Sequence, residues 1–463
     1  MMDNPEKIEM TATKALSVLD GRYSKYTHSL SDIFSESGLI RHRVFVEIQW
    51  LKFLFQDLGL QSVGADDIVK IESIAAAFDD DAVLRVKTIE KETNHDVKAV
   101  EYYIKERLSA MGHDDIKEWV HFACTSEDIN NTAYALMLKK GMDIVQANLL
   151  TVISKIESLA LEYKNIAMIS RTHGQPATPT TVGKEFVNFA WRLVREKERI
   201  STLPVEAKLN GASGNFNAHW FVFPDIDWIA ASRRFLSDYL GLIPLMYTTQ
   251  INPYSYISEM LHTLIRVAAI IIDLDRDMWG YISLGYFKQK TRPGEVGSST
   301  MPHKVNPIDF ENSEGNMGLA IAMMEHLSVK LLNSRFQRDL TDSTVLRNAG
   351  AVLGYLLIGI QSTLKGLDRL SVAHEAIRKD LDDNPELVAE AIQTAMRVYR
   401  EENPYEKLKA LTRGRKSTAV EIAALIDSLE KVPHDIKSRM KLLTTKHYTG
   451  LAEKLVDLYF FRD

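Results

Sequence analysis

The sequence predicts an all-α protein built on a bundle of long helices. Proline is absent between Pro5 and Pro176, between Pro253 and Pro293, and between Pro307 and Pro385. That spacing leaves room for unusually long helices, because proline breaks helix interiors. Apolar residues then recur at alternating spacings of three and four. Met142, Val145, Leu149, Val152, Ile156, Leu159 and Tyr163 form one stripe. Leu346, Leu353, Leu357, Ile360, Leu364 and Leu367 form a second, broken at Gly350, and Val182, Phe186, Phe189, Leu193, Ile200 and Leu203 a third, interrupted at Glu196. Such stripes pack helix on helix at shallow angles. No comparable run of strict alternation occurs, so strands should be few.

Taken in order, the chain reads as an N-terminal helical domain over 1–121, a central long-helix bundle over 122–366 and a C-terminal helical domain over 367–463. The last holds the Asp382-Asp383-Asn384-Pro385 break and a charged segment from Lys407 to Lys416. Six of the thirteen prolines fall between Pro176 and Pro253, so turns interrupt the bundle there. Helices of about 25 residues would span about 40 Å, more than a small domain needs. Second apolar edges at Ile153 and Ala160, and at Ala190 and Val194, would leave a monomer sticky, which points to an oligomeric bundle.

Composition bounds the function. Of 463 residues, 45 % are apolar and 25 % charged, as in ordinary soluble proteins. A net charge of −6 disfavours a nucleic-acid partner. The single cysteine, Cys124, excludes an intrachain disulfide framework and fits a reducing compartment. Met1 to Met10 is polar, unlike a secretory signal. The longest apolar run, Ala349 to Ile360, is twelve residues, short of the roughly 20 a membrane span needs. A soluble cytoplasmic protein is expected.

The oddest stretch is Gly297-Ser298-Ser299-Thr300-Met301-Pro302-His303-Lys304-Val305-Asn306-Pro307. A glycine followed by small hydroxyl residues lets successive N–H groups form an anion-binding nest. Lys304 adds a positive charge and Asn306 a donor, while Pro302 and Pro307 exclude helix interior. The plainer reading is a turn between helices. Other polar blocks admit two readings in the same way. Arg22-Tyr23 beside Gly21 is a phosphate grip or an exposed loop pair. In Asn94-His95-Asp96 either Asn94 or Asp96 caps a helix, or the helix start and a titratable histidine receive an anion. In the block from His121 to Asp128, Thr125 and Asp128 have capping-box spacing, and Thr125 and Ser126 would also face an anion. Cys124 reads as a buried small residue rather than a nucleophile.

His173, directly before Gly174 and close to Pro176, belongs on an exposed turn. Thr248-Thr249-Gln250 says little alone. A helix beginning near Thr341 would put Ser343 and Arg347 on one face. With Arg338 they make an anion site, or else an ion-pair network with Asp339 and Asp342. Gly-x-Gly-x-x-Gly, Gly-x-x-x-x-Gly-Lys and His-Glu-x-x-His are all absent, so dinucleotide, nucleotide-hydrolysing and zinc-protease readings lack support.

The loop from Gly297 to Pro307 resembles the signature loop of the fumarase/aspartase superfamily. His121 through Asp128 and Thr172-His173-Gly174 resemble its other blocks, in the same order. Within the superfamily the whole chain resembles the adenylosuccinate lyase family. The residues that carry this are Asp20 to Tyr23, Thr93 to Glu101, His121 to Asn131, Ser170 to Pro179, Thr248 to Gln250, Gly297 to Gly315 and Arg335 to Asn348.

That resemblance implies elimination of fumarate from adenylosuccinate, giving AMP, and from the succinyl-carboxamide ribotide SAICAR, giving AICAR. It implies Ser298 as the base and His173 as the acid. His95 would orient the phosphate end, in the block Asn94-His95-Asp96, and His121 would sit beside the succinyl group. Arg22, Tyr23, Arg338, Ser343 and Arg347 would hold the phosphate and ribose. Thr125, Ser126, Gln250, Lys304 and Asn306 would hold the succinyl carboxylates. No metal or organic cofactor is implied. The implied assembly is a homotetramer with each site built from three subunits. The segment from Gly285 to Gly297, with Lys288, Lys290 and Arg292, resembles a mobile lid. Two departures stand out: the first nine or so residues extend beyond the matched start, and Asn312 stands where some relatives have arginine. The rival readings are another superfamily lyase, such as argininosuccinate lyase, whose substrate has no phosphate for Arg22, Arg338 and Arg347, and a non-catalytic helical scaffold.

Overall fold

The computed structural model describes residues 12–291, 294, 301, 304–412 and 417–461. Its helices are α1 (Ser24–Phe34), α2 (Glu36–Gln56), α3 (Ala65–Ala76), α4 (Asp80–Thr93), α5 (Asp96–Ala110), α6 (Ser126–Glu162), α7 (Val182–Thr202), α8 (Asn217–Val222), α9 (Trp228–Arg234), α10 (Ser255–Ser283), α11 (Ile308–Lys330), α12 (Thr341–Leu346), α13 (Ala349–Asp368), α14 (His374–Asp382), α15 (Ala389–Val398), α16 (Pro404–Thr412), α17 (Ala419–Asp427), α18 (His434–Lys441) and α19 (Ala452–Phe460). Strands among the described residues are six short ones in three pairs. β1 (Ala167–Thr172) and β2 (Gln175–Thr181) are antiparallel, β3 (Glu206–Ala207) and β4 (Ile243–Pro244) parallel, and β5 (Phe287–Gln289) and β6 (Leu370–Val372) antiparallel. The expected all-α class holds.

The long helices follow the apolar stripes. α6 runs 37 residues without a proline, and its stripe from Met142 to Tyr163 is buried throughout. Glu196, which interrupts the α7 stripe, is only 6 % exposed. It is neutralised by Arg199 and by Arg266, whose Nε lies 2.9 Å away. The expected second apolar edge turns out differently. Ile153, Ala160 and Ala190 are buried within this chain and only Val194 is half-buried, so the four present no continuous sticky face. The large exposed apolar side chains on the long helices are others, among them Leu150, Trp279, Leu319 and Val329.

Two segments, Ser126–Glu162 and Thr341–Asp368, are long and apolar enough to cross a membrane by length and composition. Counting uninterrupted apolar residues missed this. Their stripes are packed inside the protein, as in any core helix.

By compactness the chain forms two units, and the division falls inside α6, α7, α10, α11 and α13. Unit 1 comprises Met1–Leu149, Glu196–Ala269 and Gly315–Gln361. Its core surrounds α2, which Ser35 caps by accepting the Gly38 N–H. Trp50 packs on Phe235 with centroids 5.0 Å apart, and Phe53 on Tyr239 at 5.3 Å. Unit 2 comprises Leu150–Arg195, Ile270–Glu314 and Ser362–Asp463. Its C-terminal helices close over Val388, Ile392, Met396, Leu408 and Ile426. The segment from Gly285, expected as a lid, is in its described part tied into the sheet through Phe287–Gln289, with Phe287 opposite Val372. Positions 292, 293 and 295–297 lie outside the described residues.

Candidate functional site

Most of the expected binding residues fall within unit 1, at helix ends. Asn94 ends α4 in the left-handed region, at φ 49°. It therefore cannot cap the next helix, and neither does Asp96, which is already helical. His95 is the cap: its Nδ1 accepts the Lys98 N–H at 3.1 Å. The ring hydrogen of a neutral His95 is then on Nε2, which is left as a donor. Asp96 accepts from Arg43 at 2.8 Å and from Arg347 at 3.1 Å. Burial raises the Asp96 carboxyl, but Arg43, the Val97 N–H and Arg347 together outweigh it and hold the group below the usual range. Arg43 also donates from Nε to Asn130 at 2.8 Å.

His121 sits in the left-handed region at φ 63°, as does Ala123 at φ 57°. Such strain persists only where the surroundings fix it. Here Glu47, with its side chain fully buried, accepts the His121 backbone N–H at 3.1 Å and meets Nδ1 at 2.6 Å. Burial lowers the His121 pKa, but Glu47 outweighs it, so the ring is more basic than an ordinary histidine. The α6 start is anchored next. Asp128 accepts the Thr125 N–H at 2.8 Å, one half of the expected capping box, while the Asp128 N–H goes to the Thr125 backbone carbonyl. The other Asp128 carboxylate oxygen takes the Lys208 ammonium at 2.9 Å, in an ion pair buried on both sides. Thr125 and Ser126 stay half-buried at this helix start, where the helix dipole favours an anion. Cys124 is half-buried rather than fully buried, and burial pushes its thiol up, away from nucleophile chemistry.

Gln250 meets Arg338, whose Nη1 donates to Oε1 at 3.1 Å. The backbone here leaves no slack: a Cβ on Gly214, at φ +78°, would lie 2.4 Å from the Thr248 carbonyl oxygen. α12 begins at Thr341 as expected, with Ser343 half-buried inside it and Arg347 capping its end. Arg22 lies 5.9 Å from the Tyr23 ring at the start of α1. Nearby, Ser17, Asp20, Ser35, Arg347 and Gly350 line a cavity of about 310 Å³.

Unit 2 holds the rest. Thr172 pairs with Gln175, so His173 and Gly174 are the two central residues of the β1–β2 turn. Both have positive φ, 53° and 75°, the arrangement that matches hairpin twist. His173 is exposed, as its place before Gly174 predicted. Behind it Arg171 and Tyr286 both bind the Asp380 carboxylate. Lys304 is exposed and Asn306 half-buried ahead of α11. Ser298, and the rest of the loop from Gly297 to Thr300, lie outside the described residues. Among the described residues no group of three His, Cys, Asp or Glu is placed to hold a metal.

Several residues that build unit 1's share went unread in the sequence: Arg43, Glu47, Lys208 and Tyr254. Arg43 and Glu47 had a signal, being opposite charges four apart on α2, within the mostly apolar run from Val44 to Leu51 that follows Arg43. Lys208 had none.

Comparisons agree with this picture. A family described as lyase matches residues 21–322, and adenylosuccinate lyase C-terminal matches 334–449. An adenylosuccinate lyase of Vibrio cholerae is 50 % identical, over 97 % of this chain and 100 % of that protein. The Escherichia coli K12 adenylosuccinate lyase is 49 % identical over 97 % and 99 %. Among solved structures, a fumarate lyase from Mesorhizobium superposes with TM-score 0.76 at 17 % identity, covering 94 % of this chain and 98 % of that one. A 3-carboxy-cis,cis-muconate lactonizing enzyme from Pseudomonas putida gives 0.73 at 18 %, covering 94 % and 97 %. These two likenesses concern the fold alone.

Proposed function

The chain belongs to the adenylosuccinate lyase family, and we propose that it eliminates fumarate from adenylosuccinate, giving AMP, and from SAICAR, giving AICAR. It is a carbon–nitrogen lyase. The observation that carries the reading is identity of about half the residues across nearly the whole chain. The substrate has two carboxylates and a phosphate of about −1.5 to −2 charge. Arg22, Tyr23, His95, Arg338, Ser343 and Arg347 hold the phosphate and ribose, with Asn94 shaping the turn and Asp96 orienting Arg347. Thr125, Ser126, His121, Gln250, Lys304 and Asn306 hold the succinyl group.

In the reaction Ser298 removes the proton beside a carboxylate, and His173 protonates the nitrogen as its bond to carbon breaks. The intermediate gathers negative charge on that carboxylate, so preorganised N–H groups and Lys304 supply the largest stabilisation. A serine hydroxyl acts as a base only in a strongly electropositive setting, which the Gly297 to Lys304 segment would supply. We also propose a cytoplasmic homotetramer in which three protomers contribute to each site, and the three-domain division at 121 and 366.

Following fumarate release from adenylosuccinate, SAICAR and argininosuccinate tests the reaction. Release from the first two supports it. Release from argininosuccinate alone points to the rival lyase, and release from none to a scaffold. Ser298→Ala should cut kcat by orders of magnitude while light scattering still reports a tetramer; near-normal turnover would shift the role to Ser299.

A further inference from the structure

Arg338 contacts one buried carboxylate, Glu127, and its charge is felt by a second, Asp342; the mechanism above uses neither. Glu127 is 2 % exposed and Asp342 3 %. Glu127 Oε2 lies 3.6 Å from the Arg338 guanidinium, and its Oε1 accepts the Tyr254 hydroxyl. Tyr254 is itself fixed. It is fully buried, its φ is 54°, and its N–H donates to Asn252 at 2.8 Å. A non-glycine residue stays in that region only when its surroundings hold it there. On the other side of Arg338, Gln250 takes one donor at 3.1 Å and is itself held, Nε2 to the Ala212 carbonyl, at 3.0 Å. Neither carboxylate oxygen of Asp342 finds a side-chain hydrogen-bond partner among the described residues.

We propose that Glu127 is a positioning residue for the substrate's phosphate, acting through Arg338: it holds the guanidinium against Gln250 in the free enzyme and takes a proton from solvent when the phosphate engages that guanidinium. The inference rests on the reading above that Arg338 holds the phosphate. Two carboxylates against one arginine leave a buried negative charge, and a dianion arriving there is unfavourable unless a proton comes with it. The groups facing Glu127 permit this. Burial and the Asp342 charge push its carboxyl up, the Tyr254 hydroxyl, Arg338 and Lys208 pull it down, and the balance leaves it at about 7. Burial likewise raises Asp342, against Arg338 and with Asp339. Tyr134, Tyr254 and Tyr256 are all pushed up by burial and stay neutral. A phosphate beside Arg338 offsets the guanidinium's field at Glu127 and raises that carboxyl further. Binding then takes up protons and weakens as pH rises above about 7.

The test is calorimetric titration of AMP into the full enzyme at about pH 7.5, in two buffers of different ionisation enthalpy. The parent should take up roughly 0.3–0.7 proton per site and lose about fivefold in affinity between about pH 7 and pH 8.5. Glu127→Gln keeps the acceptor for Tyr254; it should take up none and hold its affinity across that range. A parent without uptake, or Glu127→Gln with parental uptake, overturns the proposal. Should that variant fail to fold, Asp342→Asn serves instead, since reduced uptake supports the pair and unchanged uptake sinks it. Arg338→Met separates the two levels. Unaltered AMP affinity there refutes the role of Arg338, whereas lost affinity there with parental uptake in Glu127→Gln refutes only the role of Glu127.

Discussion

The two units hold their candidate residues by different means. In unit 1, His121 leans on a buried Glu47, Asp96 bridges Arg43 and Arg347, and Thr125 is pinned by Asp128. Each is an ionic or capping contact inside the fold. In unit 2, His173 stands exposed on a two-residue turn whose aim comes from backbone geometry and from the Arg171–Asp380–Tyr286 brace behind it. The proposed binding groups are thus part of the folding energy, while the proposed acid is not. A residue that grips a polyanion must be desolvated and preorganised, whereas one that delivers a proton needs access.

The largest expected effect tests the exposed side. His173→Ala should lower kcat about 10²–10⁴-fold and move the melting temperature by less than about 2 °C, because no core contact is lost. Steady-state kinetics and calorimetry on one preparation decide it. A large drop in melting temperature would make His173 a structural residue and erase the contrast.

Next comes the buried side. Lys208→Met leaves Asp128 without its counter-ion, and breaking such a pair costs about 3–5 kcal/mol. Denaturant unfolding should show that loss, together with weaker AMP binding because Asp128 also pins Thr125. Retained stability would mean that the helix start does not depend on the pair.

The sequence made the local patterns of both units legible and hid the long-range buried contacts. His173 before Gly174, the helix start at Thr341 and the Thr125–Asp128 spacing are local patterns, set by φ and by hydrogen bonds a few residues long. The three stripes read correctly because helix periodicity is local too. The Lys208–Asp128 pair joins residues far apart in the chain, and no spacing announces it. The cap at 94–96 went to the histidine because Asn94 was already closing the previous helix, a competition that composition cannot rank. The second apolar edge was visible, but not which neighbour would cover it.

A pH comparison sharpens the contrast with a smaller effect. In unit 1, His219 is fully buried among Trp50, Phe122, Phe216 and Trp228, and neither ring nitrogen has a hydrogen-bond partner among the described residues. Burial lowers it from 6.5 to about 4. The unfolded chain then binds the extra proton between those values. Stability is therefore full above pH 6.5 and falls by about 3 kcal/mol as pH drops through 4. In unit 2, Asp275 is raised by burial from 3.8 to about 8, against hydrogen bonds from Ser313 and Thr363. Its contribution has the opposite sign, being full below pH 3.8 and lost as pH rises through 8. His219→Phe should flatten the acid side of the stability profile and Asp275→Asn the alkaline side. Exchanged effects would show that the two burials have been misjudged.

The smallest effect isolates the turn itself. Gly174 has φ +75° and nothing within 4 Å of where a Cβ would stand, so Gly174→Ala meets no clash and only the strain of a left-handed residue, about 1–2 kcal/mol. That strain falls on a turn with no core around it, so global stability should move by no more than that amount. Relief of the strain, however, rotates the neighbouring peptide and with it the direction of the His173 ring. If backbone geometry aims the acid, kcat should fall about 5–10-fold with KM nearly unchanged, because a proton donor out of line is missed only at the transition state. Equal losses in kcat and in binding would instead mean that the turn shapes the pocket, and that the exposed side, like the buried one, is held by contacts rather than by its backbone.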